Sequence, residues 1–406
     1  MRRITRLCSA MSFAHTVVGV LLAAGLACPA LAAHKYRILH NFTGGLDGGA
    51  PGYTLATDAA GNFIGTANFG GNGYGIIFSL ARKHGNWDLR VLYDFRSKDG
   101  QPGWGVTVSP TGSFYVNASY AEVLGGACGS ALELQHSPAH KPARWSKTLL
   151  RTYVKSEEGC PTGNLIGDAV GNLYGVTQNG GANGWGSIFE LSPSDSGWTE
   201  TILYSFQGAS DGGAPYSGMV FDAQGNLYGT ATASSGVNSG TVFEFSPSQS
   251  GWIYNVLYTF TGGQDGGQPV AGLVFDGAGN LYGATASWGA NGGGTIFELS
   301  PAGGLWTFKV LHSLSGSDGP VASLTLDSAG ALYGTNFMDG AYGYGSVFKL
   351  SPGADKWRYS DLHDFTGGTD GGYPGGGVVL GANGDLYGTA VLGGSDGFGV
   401  VYEVTQ

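Results

Sequence analysis

Apolar and polar positions alternate in short runs along the chain, without a helical period. Between Gly272 and Leu314 four runs stand out, GLVFD, NLYGATA, GTIFELS and KVLHSL, and glycine, proline, serine or aspartate separates them. Short apolar and aromatic runs between such turn residues are typical of β-strands. The pattern therefore predicts a unit of four antiparallel strands, named A to D in chain order, and almost no helix.

This unit recurs seven times. Its most regular part is an A-to-B hairpin with sequences such as DAVGNLYG (Asp168 to Gly175) and DAQGNLYG (Asp222 to Gly229), and successive copies start 51 to 59 residues apart. Repeats of this length predict a propeller or a solenoid. The first strand, Tyr36 to Phe42, matches strand D, while the last copy stops at strand C, Val400 to Val404. We expect an all-β, seven-bladed β-propeller of four-stranded antiparallel blades, closed by N-terminal strand exchange.

A single aromatic position supports the same repeat. A tryptophan precedes strand D in six copies, and His34 takes its place in the seventh. One large residue at one register predicts packing between blades. The tryptophans are Trp87, Trp145, Trp198, Trp252, Trp306 and Trp357.

Residues 1–32 have the pattern of a signal peptide. Three arginines are followed by the apolar stretch Val17 to Ala27 and by Ala30-Leu31-Ala32, a small-x-small cleavage site. We expect residues 33–406 to form a single propeller domain that is secreted or periplasmic. A lipoprotein anchored through Cys28 is the alternative, although Gly25 stands where leucine is usual. No later run approaches the ~18 apolar residues of a membrane-spanning helix.

The composition and charge of the chain limit the classes of molecule that it can bind. Glycine accounts for 76 of 406 residues, which suits many tight turns. Loss of the signal peptide removes three arginines from a net charge of −10 and leaves about −13, which disfavours nucleic acid or an anionic membrane as partner. Cys128 and Cys160 remain, on links beside the same blade, and in an oxidising compartment they are expected to form a disulfide.

The repeat also resembles a known family. The pattern LYSF-x-G-x-x-DGG-x-P, then GNLYGT, then GTVFE-x-SP, seen from Leu203 to Pro247, resembles the GloVer tandem-repeat proteins of bacteria. The resemblance extends over essentially all of the chain after the signal peptide. It implies a secreted repeat protein, and it brings no catalytic residues.

Two sets of candidate site residues fall on one face. In a propeller whose strands run from inner A to outer D, the B-to-C and D-to-A links emerge together, on what we name the loop face. The D-to-A links carry acidic residues that can bind Ca²⁺ or repel anions, or that close Asp-Gly turns on their own backbone. No other cofactor is predicted. The acidic residues are Asp47, Asp99, Asp211, Asp265, Asp318 and Asp370, together with Glu157 and Glu158.

The B-to-C links carry aromatic side chains. Exposed rings can stack on sugars or anchor a protein partner, whereas buried ones cover the blades. The candidates for binding are Tyr74, Tyr120, Trp185, Trp288, Tyr342, Tyr344 and Phe398, and Phe69 and Phe337 lie in the same links.

Signals for catalysis are weak. Gly208 to Gly212 and Gly393 to Gly397 fit G-x-S-x-G, but neither lies on a strand-to-helix elbow. His40, His312 and His363 share one position in strand D of different blades, which favours a structural role. We expect a monomeric binding or scaffold protein that engages an extracellular polysaccharide or an envelope protein through the loop face. The alternatives are a carbohydrate-active lyase or hydrolase at the channel mouth, or a structural envelope protein without a small ligand.

Overall fold

A computed structural model describes residues 34–103, 105–119, 127–137, 144–155, 158–208, 210–232, 239–316 and 319–406. The predicted signal peptide, Tyr120, Glu157 and Asp318 lie outside the described residues. His34–Gln406 cluster into one compact unit. Within the described ranges no helix is long and apolar enough to cross a membrane.

The chain forms seven antiparallel sheets, and each contains strands A to D in that order. The strands of blades 1 to 3 are Ala56–Thr57, Phe63–Ala67, Ile76–Lys83 and Asn86–Asp94; Thr107–Val108, Phe114–Ser119, Ala127–Ser137 and Arg144–Val154; and Pro161–Gly167, Leu173–Thr177, Ser187–Ser194 and Gly197–Ser205. Blade 2 has an additional short strand, Gln101–Pro102, after a 3-10 turn at Ser97–Asp99.

The remaining four blades repeat the same order. Their strands are Val220–Phe221, Leu227–Ala231, Thr241–Ser248 and Gly251–Thr259; Val274–Phe275, Leu281–Ala284, Gly292–Ala302 and Leu305–Ser315; Thr325–Leu326, Leu332–Asn336, Ser346–Ser351 and Arg358–Asp364; and Val379–Leu380, Leu386–Ala390, Val400–Val404 and Tyr36–Asn41. The seven-bladed propeller predicted from the repeat is confirmed.

The two ends of the chain complete one blade. Tyr36–Asn41 pairs antiparallel with Val400–Val404, so Tyr36 stands opposite Val404 and Asn41 opposite Val400. Strand D of blade 7 therefore comes from the N-terminal end, which confirms the predicted strand exchange. The exchange supplies the last blade with its outer strand, and this blade then packs on blade 1 through Val401 and Phe42.

Seven separate apolar cores hold the ring together, one between each pair of neighbouring blades. The repeated tryptophan lies at these junctions. The Trp252 ring stacks on Phe245 of its own blade at 4.8 Å and meets Tyr174 of the preceding blade edge-on at 5.8 Å. Trp306 meets Tyr228 in the same way at 6.0 Å. The predicted packing between blades is confirmed.

A belt of hydrogen bonds joins the blades next to the axis. Side chains on strand B donate to backbone carbonyls at the start of strand A in the next blade, from Thr230 to Ala271 at 3.1 Å and from Thr389 to Tyr53 at 3.1 Å. Asn117 does the same to Gly163 at 2.9 Å. These bonds fix the inner strands, whose first residues line a central channel.

Candidate functional site

The loop face is organised by contacts between its two kinds of link. At four blade junctions, a residue just before a proline in the D-to-A link donates its backbone N–H to a carbonyl in a neighbouring B-to-C link. The pairs are Ala50 to Phe398, Ala214 to Trp185, Gln268 to Ser239 and Tyr373 to Tyr344, at 2.7–2.8 Å. All four donors have a left-handed backbone, with φ between 50° and 55°. A non-glycine residue keeps this conformation only where its surroundings impose it, so the two links form one rigid unit.

The five described aspartates of the D-to-A links do not converge. Each is turned back onto its own link and onto strand D of the same blade. Asp265, for example, accepts hydrogen bonds from the Thr261 backbone at 2.8 Å and from the Tyr258 hydroxyl at 3.0 Å. Burial raises the pKa of Asp265, but these hydrogen bonds outweigh it and hold the pKa below its usual range.

The other carboxylates follow the same plan. Asp47, Asp211 and Asp370 accept from the backbone N–H four residues earlier, and Asp99 from the one three residues earlier. The hydroxyls of Tyr93 and Tyr204, on strand D, donate to Asp99 and Asp211. In two other blades a histidine of strand D takes this place: His40 lies 3.1 Å from Asp47, and His363 lies 3.3 Å from Asp370. Among the described residues, no three His, Cys, Asp or Glu side chains are grouped so as to hold a metal ion. Calcium binding stays a prediction.

Asp99 is the most buried of these carboxylates. It forms an ion pair with Lys147 and accepts hydrogen bonds from the Arg96 backbone and the Tyr93 hydroxyl. Burial raises the pKa of Asp99, and these donors together with the Lys147 charge hold it below its ordinary value. The arrangement stabilises the charged form inside the protein, as expected of a structural ion pair.

The predicted disulfide is present. Cys128 and Cys160 are bonded, with their Cα atoms 5.4 Å apart. The bond connects strand C of blade 2 to the link that opens blade 3, on the loop face. In the same region Arg151 pairs with Glu158 and Glu200, so the most divergent repeat is held by a covalent bond and by charge.

The candidate aromatic residues occupy three kinds of surroundings. Tyr74 and Trp185 are half-buried against the cores between blades. Trp288, Tyr344 and Phe398 are 42%, 38% and 44% exposed. Tyr342 is 62% exposed and stands clear of the blades.

Three of these rings lie face-down on glycine turns. A Cβ placed on Gly208 would stand 2.3–2.4 Å from three atoms of the Trp185 pyrrole ring, and one placed on Gly367 2.5–2.7 Å from three atoms of the Tyr344 ring. A point equally distant from three ring atoms lies above the ring, so each glycine faces the flat side of its ring. Phe398 covers Gly44 in the same way at 2.6–2.7 Å. Only glycine permits this approach, and all three glycines also have positive φ.

Trp288 fills a gap in this series. In blade 4 the equivalent position is Ser239, whose short side chain contacts Gly262 and Gly267 of the following link but offers no ring. Trp288 reaches over from blade 5, where a Cβ on Gly267 would stand 2.7–2.9 Å from its six-membered ring. Its backbone is left-handed, with φ 61°, an uncommon conformation for an aromatic residue. The displaced tryptophan thus restores an aromatic cover at the junction that lacks one.

A cavity of about 600 Å³ opens among the inner strands and the links around them. Among the described residues that line it, no side chain is charged. The polar ones include Thr54, Asn68, Asn164, Tyr216, Ser217, Gln268 and Ser323, and the apolar ones Val270, Val321, Phe337 and Val391. None of the residues singled out from the sequence lines it except Phe337. Most lining residues lie near the link proline and the start of strand A, or just after strand B, and no motif marks them.

Three solved structures are similar to this chain, and the first of them, with a TM-score above 0.5, agrees with the fold. A proposed 6-phosphogluconolactonase from Bacteroides uniformis ATCC 8492 aligns over 76% of this chain and 83% of its own, with 14% identity and a TM-score of 0.51. A proposed glucose dehydrogenase from Thermus thermophilus aligns over 91% of this chain and 99% of its own, at 12% identity and a TM-score of 0.41. A proposed gluconolactonase aligns over 82% of this chain and 95% of its own, with 16% identity and a TM-score of 0.42. No curated protein matches the chain.

The repeat itself has a family match. The model of the Gloeobacter/Verrucomicrobia repeat matches residues 139–322 and 276–406, which together span more than half of the chain. The same segments carry blades 3 to 6 and strands A to C of blade 7, where the hairpin and the link motifs are most regular. The chain therefore belongs to the Gloeobacter/Verrucomicrobia repeat family.

Proposed function

We propose that this protein is a secreted binding protein whose loop face engages an extracellular polysaccharide. The observation that carries the proposal is the set of aromatic rings held flat on glycine turns. Tyr344 and Phe398 each have one ring face on a glycine turn and keep more than a third of their surface exposed. Flat, rigid rings on one face are suited to stacking on the apolar faces of sugars.

Rigidity strengthens the proposal. The carbonyls of Trp185, Tyr344 and Phe398 accept hydrogen bonds from the neighbouring link, so the backbone beneath each ring is fixed. A preorganised ring loses little conformational entropy when a ligand binds, which improves affinity. The formal charge of about −13 that follows removal of the signal peptide favours a neutral polymer over an acidic one.

The location is part of the same proposal. The Cys128–Cys160 disulfide is stable in an oxidising compartment, which is where the signal peptide at residues 1–32 would direct the chain. We expect the mature protein to begin at Ala33. Mass determination of the protein recovered from its export compartment tests this start point, and a retained N-terminus or a lipid on Cys28 would contradict it.

The binding test uses affinity electrophoresis of the purified protein in gels that contain amylose, xyloglucan or alginate. Each of Trp185→Ala, Tyr344→Ala and Phe398→Ala should weaken binding to a neutral polymer about fivefold, at about 1 kcal/mol per ring. The matched control is Leu305→Ala, which changes an exposed apolar residue that begins strand D of blade 5, next to the C-to-D turn of the opposite face. Equal retardation of all variants, or loss with Leu305→Ala as well, would refute the role of the rings.

The same samples separate binding from catalysis. Size-exclusion chromatography of each polymer after incubation with the protein measures chain length. Unchanged length with retained binding supports a binding protein, whereas shortened chains support the lyase or hydrolase alternative. Absence of retardation in every polymer would instead favour an envelope protein as partner.

A further inference from the structure

The cavity among the inner strands differs in its lining from the aromatic rim, the name we give to the Trp185, Tyr344 and Phe398 rings of the loop face. Its described walls carry hydroxyl and amide groups and apolar side chains, without a charged residue. Its volume of about 600 Å³ falls within the range of about 300–1,000 Å³ that is usual for small-molecule sites. We propose that this cavity is a separate binding site for a small, uncharged, hydroxyl-rich molecule of the size of a mono- or disaccharide.

Two asparagines carry the proposal. The amide oxygens of Asn68 and Asn164 are buried, and neither has a hydrogen-bond partner among the described residues. A buried carbonyl oxygen without a donor destabilises the fold, so such groups are rare unless a ligand or water satisfies them. Here two of them belong to the wall of one cavity.

These asparagines differ from others that serve the fold. Asn117, in strand B of blade 2, uses its amide N–H to join blade 2 to Gly163 of blade 3, although its amide oxygen is also buried without a partner. Asn172 bonds Asp168 inside an A-to-B hairpin at 2.9 Å. The side-chain amides of Asn68 and Asn164, in contrast, belong to the wall of the cavity, where they can exchange hydrogen bonds with the hydroxyls of a ligand.

The remaining groups of the wall suit the same ligand class. Gln268 is exposed at the cavity and offers a further amide, and Ser217 and Ser323 offer hydroxyls. Val270, Val321 and Val391 provide apolar surface for the C–H faces of a sugar ring. An anionic ligand would find no cation in the described wall and would also meet the negative field of the whole protein.

The test is isothermal titration calorimetry of the whole purified protein with cellobiose, maltose, glucuronic acid and calcium chloride. We expect heat with at least one neutral sugar. Asn68→Leu and Asn164→Leu should each weaken that binding about tenfold, because each removes hydrogen bonds to the ligand while keeping a side chain that branches at the same atom. The control Asn172→Leu, on the opposite face, should leave the affinity unchanged.

Stability provides a second measurement. Leucine at positions 68 and 164 removes a buried oxygen that lacks a partner, so the unliganded variants should unfold at the same temperature as the wild type or higher. Thermal unfolding then separates loss of a ligand group from loss of the fold. A lower midpoint in both variants would assign these asparagines to the fold and would overturn the proposal.

Other outcomes are equally decisive. No heat with either neutral sugar overturns the proposal, and so does calcium binding that is lost in the two variants, which would make the cavity a cation site. Binding of sugar that survives both substitutions also overturns it. Trp185→Ala, Tyr344→Ala and Phe398→Ala should not change sugar affinity in the cavity, so failure of the rim proposal and failure of this one are distinguishable.

Discussion

The contact between Gly208 and Trp185 can be tested by adding one methyl group. In Gly208→Ala the new Cβ would stand 2.3–2.4 Å from three atoms of the indole ring, at a position where φ is +72°. The matched substitution is Gly225→Ala in the A-to-B hairpin of blade 4, where φ is +87° and nothing lies within 4 Å of the new Cβ. Both variants place an alanine in a left-handed backbone conformation, but only Gly208→Ala also overlaps with the Trp185 ring.

The expected magnitudes follow from that difference. Gly225→Ala should lower the free energy of unfolding by about 1 kcal/mol, the cost of a left-handed non-glycine residue. Gly208→Ala should cost about 1–2 kcal/mol more, because the ring must leave the turn on which it packs. Trp185 should then become more exposed, with a red shift of its fluorescence, and binding to a neutral polymer should fall as in Trp185→Ala.

The assay is urea unfolding followed by circular dichroism and tryptophan fluorescence, with the double variant Gly208→Ala/Trp185→Ala as the control. Without the ring, the alanine at position 208 should cost no more than the alanine at position 225. If Gly208→Ala and Gly225→Ala are equally stable, or if the excess cost persists in the double variant, the face-down packing of Trp185 on Gly208 is wrong.

Three further predictions concern the fold. Cys128→Ser/Cys160→Ser removes a bond that closes a loop over a sequence separation of 32, and it should lower the free energy of unfolding by about 3–4 kcal/mol in a denaturant titration; Ellman titration of the native protein should find no thiol from this pair. Asp99→Asn should cost about 3 kcal/mol at pH 7, since it leaves Lys147 without its partner. The pKa of Asp99 is depressed in the folded state, so its stabilisation is complete above the unfolded pKa of about 4 and is lost as pH falls further; a difference between wild type and variant that does not shrink below pH 4 would contradict this. Burial lowers the pKa of His312, so its folded form is held neutral and stability should fall as pH drops below about 6.5. His312→Tyr, which introduces the residue found at this position in blades 1, 3 and 4, should remove that part of the pH dependence in thermal unfolding between pH 7 and 5.

Local chemistry determined the fold. The repeat contains alternating apolar runs, Asp-x-x-Gly hairpins and one tryptophan, and each of these makes its contacts within one blade or with the neighbouring blade. The seven-bladed ring and its closure by Tyr36–Asn41 therefore followed from the repeat. The Cys128–Cys160 bond followed because both residues fall on one face of adjacent links. The sequence also predicted which links meet on the loop face, since strand direction alternates from A to D.

Tertiary structure decided what each residue contacts. Whether Asp265 and its equivalents reach outward or turn onto their own link depends on hydrogen bonds from strand D that no motif marks. Trp288 adds a ring beside Gly267 at the junction where Ser239 offers none, a relation between two blades that is invisible within one repeat. The cavity that contains Asn68 and Asn164 exists only because seven inner strands surround a common axis, and the chain separates those residues by more than one repeat. Repeats specify contacts between nearest neighbours, whereas the cavity takes its described wall residues from six blades.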